Sequence, residues 1–230
     1  MAEPPSPPRR TDLIEHLARL PEFHDLGEAA LIELAQGASW REYVPDEVVF
    51  LEGDPAAGLF LLSFGWLKVV KGSAEGREQV LRLLGPGETF NEIGAFTRRP
   101  TPATAIALEH AGAWQLRQNA VMDLARREPD LAQRMIESMA DRIVDLVNLV
   151  ADLSLRTVSG RLARLLIEDA VGDVVARRRW ETQGELASRL GTVPDVVQRA
   201  LRGLEAERLI ATSRQEIRIL NRAGLEKLAQ

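Results

Sequence analysis

Residues 182–205, TQGELASRLGTVPDVVQRALRGLE, constrain this chain more than any other stretch, because they encode two helix starts and the turn between them. Thr182 is a hydroxyl N-cap with Glu185 three residues on, the spacing of a reciprocal capping box. Gly191 supplies a tight turn, and Thr192 and Val193 lead into Pro194, whose fixed φ suits the first position of a second helix. Along that helix Val197, Ala200, Leu201 and Leu204 make one apolar face, so Asp195, Gln198, Arg199 and Arg202 fall on the opposite one. The pair is a helix-turn-helix, whose second helix fits a DNA major groove.

Any helical hairpin has a polar face, and a solvated stripe is the plain alternative. The next residues favour the DNA reading: Leu209 to Leu220 reads as two short strands around a polar turn, a wing beside the helix pair. The expected DNA contacts are Thr182, Thr192, Pro194, Asp195, Gln198, Arg199, Arg202 and, in the wing turn, Arg214. Arginine pairs with guanine and glutamine with adenine, which makes Arg199 and Gln198 the base readers, with Asp195 open to cytosine. Two plainer roles stand beside these: Arg199 pairing with Asp195 one turn earlier, and Arg202 touching only phosphate.

The overall charge of −5 disfavours a polyanionic partner until its distribution is examined. Residues 155–230 hold 14 Lys and Arg against 10 Asp and Glu, a balance of +4 that leaves −9 for the remainder. A basic module joined to an acidic one suits DNA contact by the first alone. The chain has 0 cysteines, which excludes disulfides and thiolate ligation of iron, and His16, His24 and His110 show no metal-ligand spacing. No metal site, catalytic residue or cofactor is therefore expected. No apolar run is long enough to span a bilayer, so a cytoplasmic protein with no membrane partner is expected.

Met1–Arg10 is proline-rich without an apolar core and reads as a disordered tail, not a secretory signal. Helical starts at Leu13–Leu20 and Gly27–Gln36 precede strand-like runs at 48–51, 59–62, 67–70, 79–84, 103–108 and 113–116, separated by glycine turns. That texture predicts an antiparallel β-roll or jelly roll. From Pro129 to about Leu153 the pattern turns helical, and Ile136, Met139, Ile143, Leu146, Val150 and Leu153 recur at spacings of three and four. That is a dimerisation seam, broadened by Val147, or a stripe packed on the chain's own barrel. The chain is thus predicted to be α+β, with a tail at 1–10, a β-roll effector domain at 11–128, a dimerisation helix at 129–154 and a winged helix-turn-helix at 155–230.

In this order the features resemble the Crp/Fnr family of transcriptional regulators. The resemblance rests on Glu52-Gly-Asp54, residues 76–87 (GREQVLRLLGPG), Phe90 with Glu92, the long helix, residues 159–166 (SGRLARLL) and the helix-turn-helix. It implies a homodimer binding double-stranded DNA at an imperfect palindrome, with RNA polymerase as a further partner and a cyclic-nucleotide-binding-like roll holding a small effector. The implied pocket comprises Gly87, Phe90, Asn91, Glu92, Ile93, Thr101, Pro102 and Ala103, with Leu146 and Val147 of the long helix. Here the chain departs from cyclic-AMP-binding members. Asn91-Glu92-Ile93 replaces their Gly-Glu-Leu, and Thr101-Pro102 replaces the Arg-Ser or Arg-Thr pair that neutralises the phosphate, with Arg98 and Arg99 nearby. Leu146 and Val147 replace two hydroxyls that read adenine. A buried phosphate without its arginine is costly, so the expected effector is not cyclic AMP, or there is none. Without that arginine, Glu92 is expected to cap a turn or pair with an arginine. The reading helix departs too, with Pro194 and Asp195 where relatives carry Arg-Glu.

Two other readings belong beside this one. A haem-based gas sensor of the same family would need an axial ligand, with His24 and His110 the nearest candidates. A nucleotide-sensing subunit could instead bind protein through its C-terminal module. A cupin-type metalloenzyme is disfavoured by the lack of a His-x-His pair in the barrel.

Overall fold

The computed structural model describes residues 8–55 and 57–230. The chain divides into two compact units, residues up to 71 with 82–144, and residues 72–81 with 145–230. The elements in chain order are α1 (Arg10–Leu17), α2 (Glu28–Gln36), β1 (Ser39–Tyr43), β2 (Val48–Phe50), β3 (Leu59–Phe64), β4 (Leu67–Gly72), β5 (Glu78–Leu84), β6 (Thr89–Phe90), α3 (Glu92–Phe96), β7 (Thr104–Ala107) and β8 (Ala111–Leu116). They continue as α4 (Gln118–Arg127), α5 (Pro129–Leu155), α6 (Val158–Asp169), β9 (Val174–Ala176), α7 (Gln183–Leu190), α8 (Pro194–Ala206), β10 (Ile210–Thr212), β11 (Glu216–Ile219) and α9 (Arg222–Leu228).

The first unit is built on two four-stranded sheets, ordered β1-β8-β3-β6 and β2-β7-β4-β5, as a β-roll requires. Strand β3 shows why. Leu59 and Leu61 join α1, α2, α4 and the start of α5 in one core, while Phe60 and Leu62 enter a second core inside the roll. Because both faces of β3 are covered, it reads as an unbroken apolar run instead of an alternating one. Inside the roll the Phe60 and Phe90 rings lie 5.0 Å apart, with Phe50 5.8 Å from Phe60. The expected tail falls mainly on residues 1–7, outside the described residues; Arg9 is the N-cap of α1 and Arg10 its first residue.

The second unit buries Leu162, Leu166, Leu186, Leu190, Val197, Leu201, Leu204, Ile210, Ile217 and Leu225 in one core. Helix α6 starts at the Thr157 N-cap, whose Oγ1 accepts from the Gly160 amide. A Cβ on Gly160 would lie 2.8 Å from the Leu228 carbonyl, so only glycine lets α9 approach this closely. The wing sheet has three strands in the order β10-β11-β9, one more than the expected hairpin. No helix among the described residues is long and apolar enough to cross a membrane.

Candidate functional site

The reading head starts at Thr182, whose Oγ1 accepts from the Glu185 amide at 3.2 Å. Helix α7 ends at Gly191 with φ 61° and ψ 44°, a left-handed conformation that favours glycine. A side chain there would also collide with Leu153. Val193 is the N-cap of α8 and Pro194 its first residue. Val197, Ala200, Leu201 and Leu204 are buried, so α8 is held by its apolar face and cannot rotate without exposing it.

Thr182, Pro194, Asp195, Gln198, Arg199, Arg202 and Arg214 are exposed, and Thr192 is half-buried. Among the described residues the side chains of Asp195, Gln198, Arg199 and Arg202 make no hydrogen bond or ion pair, so the Arg199–Asp195 pairing weighed from sequence does not form. Their donors and acceptors are free for a ligand. The arginines beneath are spent on structure. Arg189 bonds Asp169 at 2.8 Å and Glu181 at 2.9 Å, and Arg161 donates to the Leu190 and Arg156 carbonyls at 2.9 Å each. These two positioning arginines escaped sequence reasoning, since nothing in their spacing separates them from surface charge.

In the roll, Gly87 takes φ 87° in the exposed turn before β6. Asn91 adopts φ 66° and donates from Nδ2 to the Gly58 carbonyl at 2.9 Å. Asparagine tolerates this left-handed geometry better than most residues. Phe90 and Ala103 are buried, and Ile93 and Pro102 are exposed. Thr101 is a buried strut: its hydroxyl donates to the Leu51 carbonyl at 2.6 Å and its amide to the Asp54 carbonyl at 2.9 Å. Pro102 offers only its carbonyl, which accepts from Lys71 Nζ at 3.0 Å.

Glu92 is buried and paired with Arg142 of α5 at 2.7 Å. Arg142 also donates to the Thr89 carbonyl at 3.1 Å, and Arg82 donates to the same oxygen at 3.3 Å while pairing with Glu88 at 2.5 Å. Burial pushes the Glu92 carboxyl up to about 7, opposed by its own backbone hydrogen bond and by the nearby Arg82 charge. Of the two roles weighed for Glu92, the arginine pair is the one present. Arg142 itself was missed because the helix was read for its apolar seam alone.

On α5, Ile136, Ile143 and Val150 each keep 62% of their surface exposed, and Val147 61%. Leu146 and Val144 are exposed as well, while Met139 and Leu153 are half-buried, Leu153 against the Gly191 turn. In a single copy most of the seam is therefore exposed. His24 Nδ1 lies 2.8 Å from the Pro21 carbonyl, and His110 Nε2 lies 3.0 Å from Glu42, so both histidines are engaged by neighbours. No group of three or more metal-ligating side chains occurs among the described residues.

Residues 40–128 match the cyclic nucleotide-binding domain family, and residues 160–228 match the Crp-like helix-turn-helix domain family. The chain is 26% identical over 193 residues to the CRP-like cAMP-activated global transcriptional regulator of Mycobacterium tuberculosis, covering 81% of this chain and 86% of the relative. It is 28% identical over 218 residues to the cyclic AMP receptor protein of Thermus thermophilus, covering 91% and 96%. Among solved structures, FixK2 from Bradyrhizobium japonicum superposes with a TM-score of 0.75 at 22% identity, covering 84% of this chain and 98% of that one, a likeness of fold. With a domain of the cyclic-nucleotide-binding type, a long helix with exposed apolar side chains, and a Crp-like helix-turn-helix whose outward α8 side chains are unpaired, the chain belongs to the Crp/Fnr family of DNA-binding transcriptional regulators, which are not enzymes.

Proposed function

We propose that the protein is a homodimer that reads a palindromic operator through Gln198 and Arg199 of two α8 helices, and that cyclic AMP is not its effector. The observation that carries the first part is the apolar seam on α5, where Ile143, Leu146, Val147 and Val150 stand in water in a single copy. Such a seam is stabilised by a second copy of the same helix. Asp195 adds a contact to cytosine, Arg202 and Arg214 contact phosphate, and Thr182, Thr192 and Pro194 seat the head on the backbone. The protein works in the cytoplasm, where its DNA and RNA polymerase are.

Three features support the second part. Thr101, at the position of the phosphate arginine, spends its hydroxyl on the Leu51 carbonyl, and Pro102 has no amide to donate. Glu92, the counterpart of the ribose-binding carboxylate, is engaged by Arg142. The two relatives named above are cyclic-AMP proteins by name, so this chain would share their architecture and not their ligand. Selection of bound DNA from a random pool, with and without cell extract, tests the whole reading. A two-fold-symmetric site is expected, and selection that needs extract would identify an effector requirement. Enrichment of no sequence, or of an unpaired half-site by a monomer, would overturn it. In parallel, calorimetric titration with cyclic AMP is expected to give no heat of binding; micromolar binding would overturn the second part.

A further inference from the structure

The face of α5 turned to the first unit carries Leu131, Met135, Ser138 and Arg142, successive positions four, three and four residues apart. Leu131 and Met135 are buried in the apolar core, and a change of pH cannot loosen that hold. Ser138 and Arg142 are fastened by carboxylates instead. Ser138 Oγ donates to Glu22 Oε1 at 3.1 Å. Arg142 reaches Glu92 Oε1 at 2.7 Å, the Thr89 carbonyl at 3.1 Å and Thr89 Oγ1 at 3.3 Å, all from Nη2, while its Nε is buried without a partner. Its hold on the corner therefore rests on one nitrogen and one carboxylate. Past this point α5 runs on into the second unit, from Asp145 onward.

The surroundings of Glu92 hold more negative than positive charge. Arg142 on α5 and Arg82 on β5 are the cations beside it, and Arg82 already pairs with Glu88. Glu22, before α2, is a second carboxylate at the same hydroxyl: Thr89 Oγ1 lies 3.4 Å from Glu92 Oε1 and 3.5 Å from Glu22 Oε1, and its one proton can serve only one of them. Arg134, two turns earlier on α5, is spent on Asp25 and the Glu22 carbonyl, with His24 beside Asp25. Three carboxylates, Glu22, Glu88 and Glu92, thus share the two guanidiniums of Arg82 and Arg142. Burial, with the Glu22 charge adding to it, raises the Glu92 carboxyl to about 7.

We propose that Glu92 and Arg142 form a proton-controlled clasp: with Glu92 ionised it holds α5 on the roll in the arrangement that binds the operator, and uptake of a proton from solvent by Glu92 opens it and weakens that binding. Protonation removes the charge that Arg142 is paired with and leaves the arginine only the two neutral oxygens of Thr89. The helix is then held by Leu131 and Met135 alone at its start, and its continuation toward the head is released. The stimulus is acidity itself. The DNA readout rests on the proposed operator reading.

The test measures operator affinity of the full-length protein against pH. A clasp closed on DNA lowers the Glu92 pKa by about one unit in the bound state, so affinity should fall about ten-fold from about pH 8 to about pH 5.5. Glu92→Gln, which has the shape of the protonated acid, should match the unaltered protein at the acid end and bind about ten-fold more weakly at the alkaline end. Glu22→Gln removes the neighbouring charge and should move the midpoint to lower pH. His24→Gln with His110→Gln should leave the midpoint in place, which separates the clasp from the imidazoles of the roll. Equal pH profiles in unaltered and Glu92→Gln protein, an unmoved midpoint in Glu22→Gln, or loss of the transition with the histidines overturns the clasp while the DNA reading stands. Binding to no duplex at any pH overturns both.

Discussion

The outward face of α8 and the Glu92 corner of the roll have been treated in opposite ways. On α8, Asp195, Gln198, Arg199 and Arg202 stand in water without partners in the chain. At Glu92 the carboxylate pairs with Arg142, which also donates to the Thr89 carbonyl while its Nε stays buried without a partner, and Thr101 is tied to Leu51. A surface whose side chains bond only to water can form bonds to a polar ligand without breaking any inside the protein, provided the ligand replaces those made to water. In the buried corner the Glu92–Arg142 bond and the bonds to the Thr89 and Leu51 carbonyls would have to be given up by any polar ligand that competed for the same atoms. The contrast is in keeping with the proposal that DNA recognition lies in the C-terminal unit and that the roll's effector is not cyclic AMP.

The largest effect expected is on the proposed pairing of two copies through α5. Ile143→Asp with Val150→Asp should leave a monomer by sedimentation and weaken operator binding by about 100-fold or more, since the second head then no longer binds intramolecularly. A dimer that persists would show that the seam has another use. Next, Arg199→Ala should cost about 1–3 kcal/mol per half-site on the selected operator and little on unrelated DNA. Equal loss on both duplexes would reassign Arg199 to phosphate.

The Glu92 corner offers a test of sign. A carboxyl raised to about 7 in the folded state, from an ordinary value near 4.5, favours the native protein when protonated. That contribution is complete below about 4.5 and is lost as pH rises through about 7. Relative to Glu92→Gln, the unaltered protein should therefore lose on the order of 1–3 kcal/mol between pH 4.5 and pH 7, measured by denaturant unfolding followed through both units. A parallel pH profile in the two proteins would mean that the Arg142 pair outweighs burial. The smallest effect is Arg202→Ala, which should weaken all duplexes alike and reduce the salt slope by about 0.9 per head.

The helix-turn-helix was legible because each of its parts is local. Thr182, Gly191 and Pro194 act on backbone within one turn of themselves, and the apolar face of α8 recurs at the helical period. Most strands of the roll were legible from their apolar runs. Strands β6 and β9 were not, since Thr89–Phe90 and Val174–Ala176 are too short to carry a period and become strands only by pairing with β3 and β11. Helices α3 and α4 were hidden for a related reason. Five residues from Glu92 cannot show periodicity, and the Arg117 N-cap of α4 makes no side-chain capping bond.

The sequence by itself determined what depends on neighbours along the chain: where α5, α7 and α8 run and which of their faces are apolar. Only the tertiary structure decided which charged groups meet. Arg142 reaches Glu92 across fifty residues of chain, Arg189 meets Asp169 and Glu181, and Arg177 finds the wing turn. The reason is physical: periodicity and capping act over one or two helical turns, whereas an ion pair depends on distances that exist only after packing has brought remote segments together.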